Sequence, residues 1–248
     1  MKTKRLTPAQ RRQLTSAPDI YSPQSVGLAQ ELYAAAIRYL FDRLETKTMG
    51  QEWFWNIDEP FFDATPLEWV RIQTVLFANA GADLAAYSDE QVGMGLNCVM
   101  SNCISDIPHA AHDPSVPLDE AMRMMRAMPA LWRDCIGPRL ASLRAPIGSS
   151  KGRLAFVCYM WFDVWPTFWH MRHEPRWRDA VWQVLNEMLA VPCREVQIAA
   201  LHGIGDCGRD LQRQDAIDRR IDVFIRSIDK SDQELRDYAD AARQGAVL

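Results

Sequence analysis

The sequence predicts an all-α fold of about nine helices in stacked antiparallel hairpins, forming a superhelix or bundle. Three observations predict it. Apolar residues recur at helical spacing through most of the chain, and no run of alternating β-branched residues reads as a strand. The breaks between periodic segments are short and marked by Pro, Gly and Asp, and short connections make neighbouring helices antiparallel. Hydrophobic residues make up 48% and charged residues 24% of the 248, which is ordinary for a globular chain and argues against disorder. A chain of this length buries enough surface to fold without a disulfide or metal staple.

The elements follow in order. Residues 1–18 are basic and polar and end at a proline, which reads as a flexible arm ahead of one helical domain over 19–248. The first helix is placed at 23–46, with Ser22 as N-cap and Pro23 in the first helical position. Leu28, Leu32, Ala35, Ala36, Tyr39 and Leu40 give it one apolar face. Residues 47–66 break the period. Gly50, Pro60 and Pro66 bracket Trp53-Phe54-Trp55 and Phe61-Phe62, and an aromatic loop of that length is expected to pack back onto the helices. A helix from Pro66 to about Tyr87 comes next. Ser88 is a good N-cap for the third, with Asp89 and Glu90 in its first turn, and this helix ends before Pro108. Residues 107–117 hold three prolines and form a loop. Residues 118–144 are helical, kinked or split at Pro129 and Pro138. Further helices cover 150–170, 175–190 opened by Pro175, and 192–204 opened by Pro192 and stopped by Gly205 and Gly208. Another runs over 210–228. Ser231-Asp-Gln-Glu234 is a capping box that starts the last helix, which ends near Gly245.

Charge is segregated along the chain. Residues 1–47 carry 8 basic and 4 acidic side chains, residues 48–122 carry 12 acidic and one basic, Arg71, and residues 123–194 carry 11 basic and 5 acidic. Such blocks either neutralise each other by packing side by side or make opposed fields that steer partners. The six cysteines form no C-x-x-C pair and sit mostly among apolar neighbours, so they read as reduced, buried residues of a cytoplasmic protein. No apolar run is long enough to span a membrane, and the N-terminus has no apolar signal region.

Residues Glu195-Val-Gln-Ile-Ala-Ala200-Leu-His-Gly203-Ile-Gly205-Asp206 resemble the second helix of a HEAT-type repeat, with Gln197 where Arg is common. Residues 178–188 would be the first helix of that repeat. The resemblance covers about an eighth of the chain and implies a HEAT-like α-solenoid, in which small residues let the next helix pack close. Cys158-Tyr-Met-Trp-Phe-Asp-Val-Trp-Pro166 and Ala200-Leu-His-Gly-Ile-Gly205 are similar to segments of bacterial all-helical proteins encoded beside polymorphic toxins, which act as immunity proteins. That resemblance implies a toxin-binding function and carries no residue roles.

No G-x-S-x-G or P-loop pattern occurs, so neither an enzymatic activity nor a cofactor is expected. The favoured partner is a protein, such as a basic toxin domain. Its expected contact surface is acidic and aromatic: Asp58, Glu59, Asp63, Asp106 and Asp113 as a steering rim, with Trp53 and Trp55 as the buried centre. An alternative is a metal-dependent helical enzyme using two His-x-x-His pairs, His109 with His112 and His170 with His173, aided by Asp113 and Glu174. A further alternative is a nucleic-acid-binding face built from Arg123, Arg126, Arg133, Arg139, Arg144, Lys151 and Arg153, against which the pI of 5.8 speaks. Residues 159–169 hold six aromatics and read as a core helix. Asp163 within them must be paired or protonated, with Arg153, Arg172 or Arg176 as candidate partners, and its functional reading is the floor of an aromatic pocket suited to a ring-shaped or cationic ligand.

Overall fold

In the computed structural model of the chain, residues 21–46, 48, 50–166 and 173–247 are described. Among them the fold is all-α, with ten helices and no strand. They are α1 (Gln30–Phe41), α2 (Pro66–Asp83), α3 (Asp89–Met100), α4 (Leu118–Ala130), α5 (Gly137–Leu140), α6 (Arg153–Val164), α7 (Pro175–Met188), α8 (Arg194–Leu211), α9 (Gln214–Ser227) and α10 (Gln233–Arg243). The expected arm over 1–18 lies outside the described residues.

Side-chain caps fix several helix starts. The Thr65 hydroxyl accepts from the Glu68 N–H and the Glu68 carboxylate accepts from the Thr65 N–H, so a capping box plus Pro66 sets the start of α2. Ser88 and Gln91 cap α3 the same way. Elsewhere the structure departs from the sequence reading. Pro23 leads only into a short 3-10 turn over Gln24–Val26, Gly27 turns the chain at φ 69°, and α1 begins later, at Gln30. Only glycine adopts that left-handed conformation without a Cβ penalty. The cap of α10 is Asp232, which accepts from the Leu235 N–H, rather than Ser231. Pro129 and Pro138 do mark the break expected in 118–144, but the chain stays helical between them and the helical run ends at Leu140. A π turn over Leu131–Ile136 joins α4 to α5, and its wider turn, with the Gly137 N–H reaching the Trp132 carbonyl, accommodates Pro138. Gly205 and Gly208 do not stop α8, which runs on to Leu211 and ends at Gln212.

One contiguous apolar core extends from Val26 to Ala242. Within it α2 packs on α4, α3 on α6, and α8 against α6, α7, α9 and α10, which makes α8 the central helix of the C-terminal half. Trp161, Phe162 and Trp165 are buried, as a core reading of this aromatic segment expects. Trp161 meets Trp132 edge-on at 5.2 Å and Trp165 at 6.0 Å, an arrangement that adds directional attraction to area burial. The charge blocks neutralise each other in part across the fold. Arg153 bonds Glu52 and Glu90, Arg139 bonds Asp89 at 2.6 Å, and Arg176 bonds Asp119 at 2.5 Å. All six cysteines are free thiols, and five are buried. No described helix is long and apolar enough to cross a membrane.

Candidate functional site

Two places in the fold carry chemistry. The first is the loop between α1 and α2, and Arg43 organises it. Its guanidinium lies 4.9 Å from the Tyr39 ring centre and 4.2 Å from that of Trp53. Its Nε donates to the Tyr39 carbonyl at 2.7 Å, and its Nη1 donates to Glu59 at 2.6 Å. A cation held against two aromatic rings and a carboxylate ties the loop to α1. Trp53 also meets Tyr39 edge-on at 4.6 Å, and Phe62 packs on Tyr39 and Trp69.

Several other large side chains of the loop face outward. Leu44 is 91%, Trp55 50%, Ile57 96% and Phe61 90% exposed, so four of the six exposed large apolar side chains among the described residues fall in this one segment. Asp58 and Asp63 are exposed beside them in sequence and form no ion pair with another described residue. The expected contact residues therefore divide. Trp55, Asp58 and Asp63 lie on the open side, whereas Trp53 and Glu59 are half-buried in the Arg43 stack. Asp106 is exposed just before a 3-10 turn over Ile107–His112. Asp113 accepts from the Ser115 hydroxyl and N–H, at 2.5 and 2.8 Å, and these bonds hold its carboxyl below the ordinary value. The Ile107 carbonyl accepts from Gln73, one turn along α2 from Trp69, so both loops reach the first half of α2.

The histidine pairs are not drawn together. His109 and His173 are exposed, the His112 ring lies 4.7 Å from that of Trp177, and His170 falls outside the described residues. None of the described three joins a group of metal-ligating atoms. Several arginines of the nucleic-acid alternative are already ion-paired: Arg123 with Glu120, Arg133 with Asp134, Arg139 with Asp89, and Arg153 with Glu52.

The second place is where α6, α8 and α10 meet. Asp163 occupies the last turn of α6, and His202 and Asp206 stand one turn apart on α8. His202 Nε2 lies 2.8 Å from Asp163 Oδ1 and 3.3 Å from Asp206 Oδ2, and its Nδ1 lies 2.7 Å from the Tyr238 hydroxyl on α10. The Tyr238 hydroxyl in turn lies 3.4 Å from that of Tyr159. The imidazole is 5% exposed, whereas both carboxylates reach solvent. An open cleft of about 630 Å³ lies over the group, lined by Tyr159, Met160, Asp163, His202 and Tyr238 with Gly148 at its edge. Asp163 thus pairs with His202, not with an arginine. Arg153 and Arg176 are taken by Glu52 and Asp119, and Arg172 falls outside the described residues. The aromatic walls beside Asp163 are tyrosines, because Trp161 and Trp165 turn into the core.

The close approach of α6 and α8 is set by Gly203, where a Cβ would lie 2.7 Å from the Phe162 ring. Burial raises the Asp163 carboxyl, but hydrogen bonds from His202 and Asp206 and the imidazolium charge outweigh it, so its pKa ends below the ordinary value. Burial lowers His202, and the bond to Asp163 with the charges of both carboxylates reverses this, leaving it raised. Asp206 is pushed up to about 6 by burial, the hydrogen bond with Asp163 and that group's charge. The group can hold a proton between its members or ligate a cation. Sequence reasoning singled out Asp163 and passed over His202. The available signal was the i, i+4 spacing of His202 and Asp206, which puts both on one helix face.

No protein family matches the chain, and neither does any curated protein or solved structure. The resemblances of residues 158–166 and 178–206 therefore remain readings of the sequence.

Proposed function

We propose that the chain is a protein-binding helical module rather than an enzyme, and that it holds a basic partner against the loop between α1 and α2. The observation that carries this reading is the concentration of exposed apolar side chains at Leu44, Trp55, Ile57 and Phe61. Monomeric proteins rarely leave large apolar groups clustered in water, and covering them returns about 25 cal/mol per Å² of apolar surface. Trp55 and Phe61 would supply the buried anchors. Asp58 and Asp63 would supply rim charges that steer a basic partner and set its register. Arg43 presets the loop, which lowers the ordering cost of binding.

The concrete form is an immunity protein that binds a bacterial toxin domain and masks its active site. The resemblance of residues 158–166 and 200–205 supports that form. A nuclease toxin is basic where it grips phosphates, so an acidic, aromatic loop suits it. The test is co-expression with the basic toxin domain of the neighbouring gene, read by growth and by size-exclusion chromatography. A stable one-to-one complex and restored growth are expected for the unaltered chain. Replacing Trp55, Ile57 and Phe61 together by serine should abolish both without lowering the Tm. A complex that survives the triple replacement, or no complex at all, would overturn the proposal.

A further inference from the structure

We propose that Asp163, His202 and Asp206 form a binding site for one divalent first-row transition-metal ion, zinc foremost, with open coordination positions facing the cleft beside Tyr159. The site is separate from the loop proposed to bind protein, and neither reading depends on the other.

Geometry comes first. The three donor atoms, His202 Nε2 and one oxygen of each aspartate, all lie within 4.8 Å of one another. Metal–ligand bonds of about 2.0–2.1 Å put neighbouring donors about 3.3 Å apart in a tetrahedron and about 3.0 Å apart in an octahedron. The observed separations from Nε2, 2.8 and 3.3 Å, bracket those edges, so an ion could enter with shifts of a few tenths of an ångström.

The second feature is the support behind the histidine. A ligating imidazole needs its other ring nitrogen held by an outer partner, which fixes ring orientation and tautomer. The Tyr238 hydroxyl lies 2.7 Å from Nδ1 and can accept the Nδ1–H, so that a metal ion displacing the proton on Nε2 would meet a lone pair between the two carboxylates. His202 is almost wholly buried, so its ring is locked by packing, while the carboxylates stand at the solvent edge where an ion can enter.

Charge and donor type then narrow the ligand. Two carboxylates around one imidazole favour a dication. The nitrogen donor argues against magnesium and calcium, which take oxygen ligands. Cys207 follows Asp206, but its buried thiol bonds the Gly203 carbonyl, so no soft donor joins the set. A mixed set of one nitrogen and two oxygens suits zinc, with manganese and cobalt as neighbours in preference. Three protein donors leave at least one position open, and that position faces a cleft of about 630 Å³.

The test uses the full chain, dialysed against EDTA and titrated with ZnCl2, CoCl2 and MgCl2 by calorimetry. One equivalent of zinc should bind with a Kd of about 10 µM or tighter, magnesium should bind at least about 100-fold more weakly, and cobalt should give visible d–d absorption. Asp206→Asn, at the exposed edge of the site, should weaken zinc at least tenfold with unchanged circular dichroism. Tyr238→Phe removes only the outer partner and should weaken it about 10–100-fold. No saturable binding at about 100 µM zinc would overturn the proposal. So would binding untouched by Asp206→Asn but lost when His109, His112 and His173 are replaced by alanine.

Discussion

Two glycines of α8 are expected to respond to the same substitution with opposite signs. In Gly203→Ala the new Cβ would lie 2.7 and 2.8 Å from two Phe162 ring carbons and 3.0 Å from Leu185 Cδ2. Carbon atoms touch comfortably at about 3.5–4.0 Å, so α6 and α8 must separate by up to about 1 Å or Phe162 must leave its rotamer. Phe162 and Leu185 are both buried. Overpacking of this kind costs about 1–3 kcal/mol, and the better helix propensity of alanine returns about 1 kcal/mol. The net loss is about 1 kcal/mol, or a fall in Tm of about 2–4 °C for a chain of this length. At Gly208 the nearest atom, Ile217 Cδ1, would be 3.6 Å from the new Cβ, an ordinary contact. Gly208→Ala should therefore gain about 1 kcal/mol and raise the Tm by about the same few degrees. Thermal unfolding followed at 222 nm measures both. Gly203→Ala should also widen the gap between His202 and Asp163, so its zinc affinity should fall while that of Gly208→Ala holds. A rise in Tm for both variants would refute the claim that Gly203 is kept small by the α6 contact.

Other perturbations test other joints. Arg153→Met leaves the Glu52 carboxylate buried without its partner and should cost about 3–5 kcal/mol, much of it recovered by adding Glu52→Gln, as denaturant titration would report. Arg43→Ala removes the stack on Tyr39 and Trp53 and the bond to Glu59, so amide exchange over 52–62 should speed at least tenfold while the core amides keep their protection. In metal-free protein the α6–α8–α10 cluster sets a pH dependence. Asp206 is raised from 3.8 to about 6, so its contribution is full below about pH 4 and is lost as pH rises through 6. His202 is raised above 6.5, so its contribution is present below that value and is lost as pH rises further. Asp163 is lowered, so its contribution is present above 3.8 and is lost only in stronger acid. Stability should thus fall from pH 5 to pH 8.5, and Asp206→Asn should remove the part of the slope between pH 4 and 6. A flat profile would contradict the shared network.

The sequence made the helical class and many helix starts legible because their causes are local. Ser88, Pro66 and Pro175 act through the residues that follow them. Gly205 and Gly208 misled because glycine both ends helices and permits close packing, and only the neighbours of α8 decide between the two. The Ser231 cap was one residue off because Asp232, next to it, is an equally good cap and also accepts from Arg194. In the aromatic loop, composition could say that it packs back, but not that Arg43 would take Trp53 and leave Trp55 outside. The cluster at His202 was half legible. Asp163 stood out as a carboxylate among aromatics, and Asp206 follows His202 by one turn. Their meeting depends on the α6–α8 crossing, and Tyr238 arrives from a third helix, which no local pattern encodes.

The most direct test of the protein-binding account is hydroxyl-radical footprinting of the chain, alone and with the basic toxin domain bound. Leu44, Trp55, Ile57 and Phe61 should be oxidised readily in the free protein, as their exposure requires, and all four should be shielded in the complex, with Val223, exposed on α9, unchanged. Equal oxidation of the four in both states, with shielding elsewhere, would contradict it.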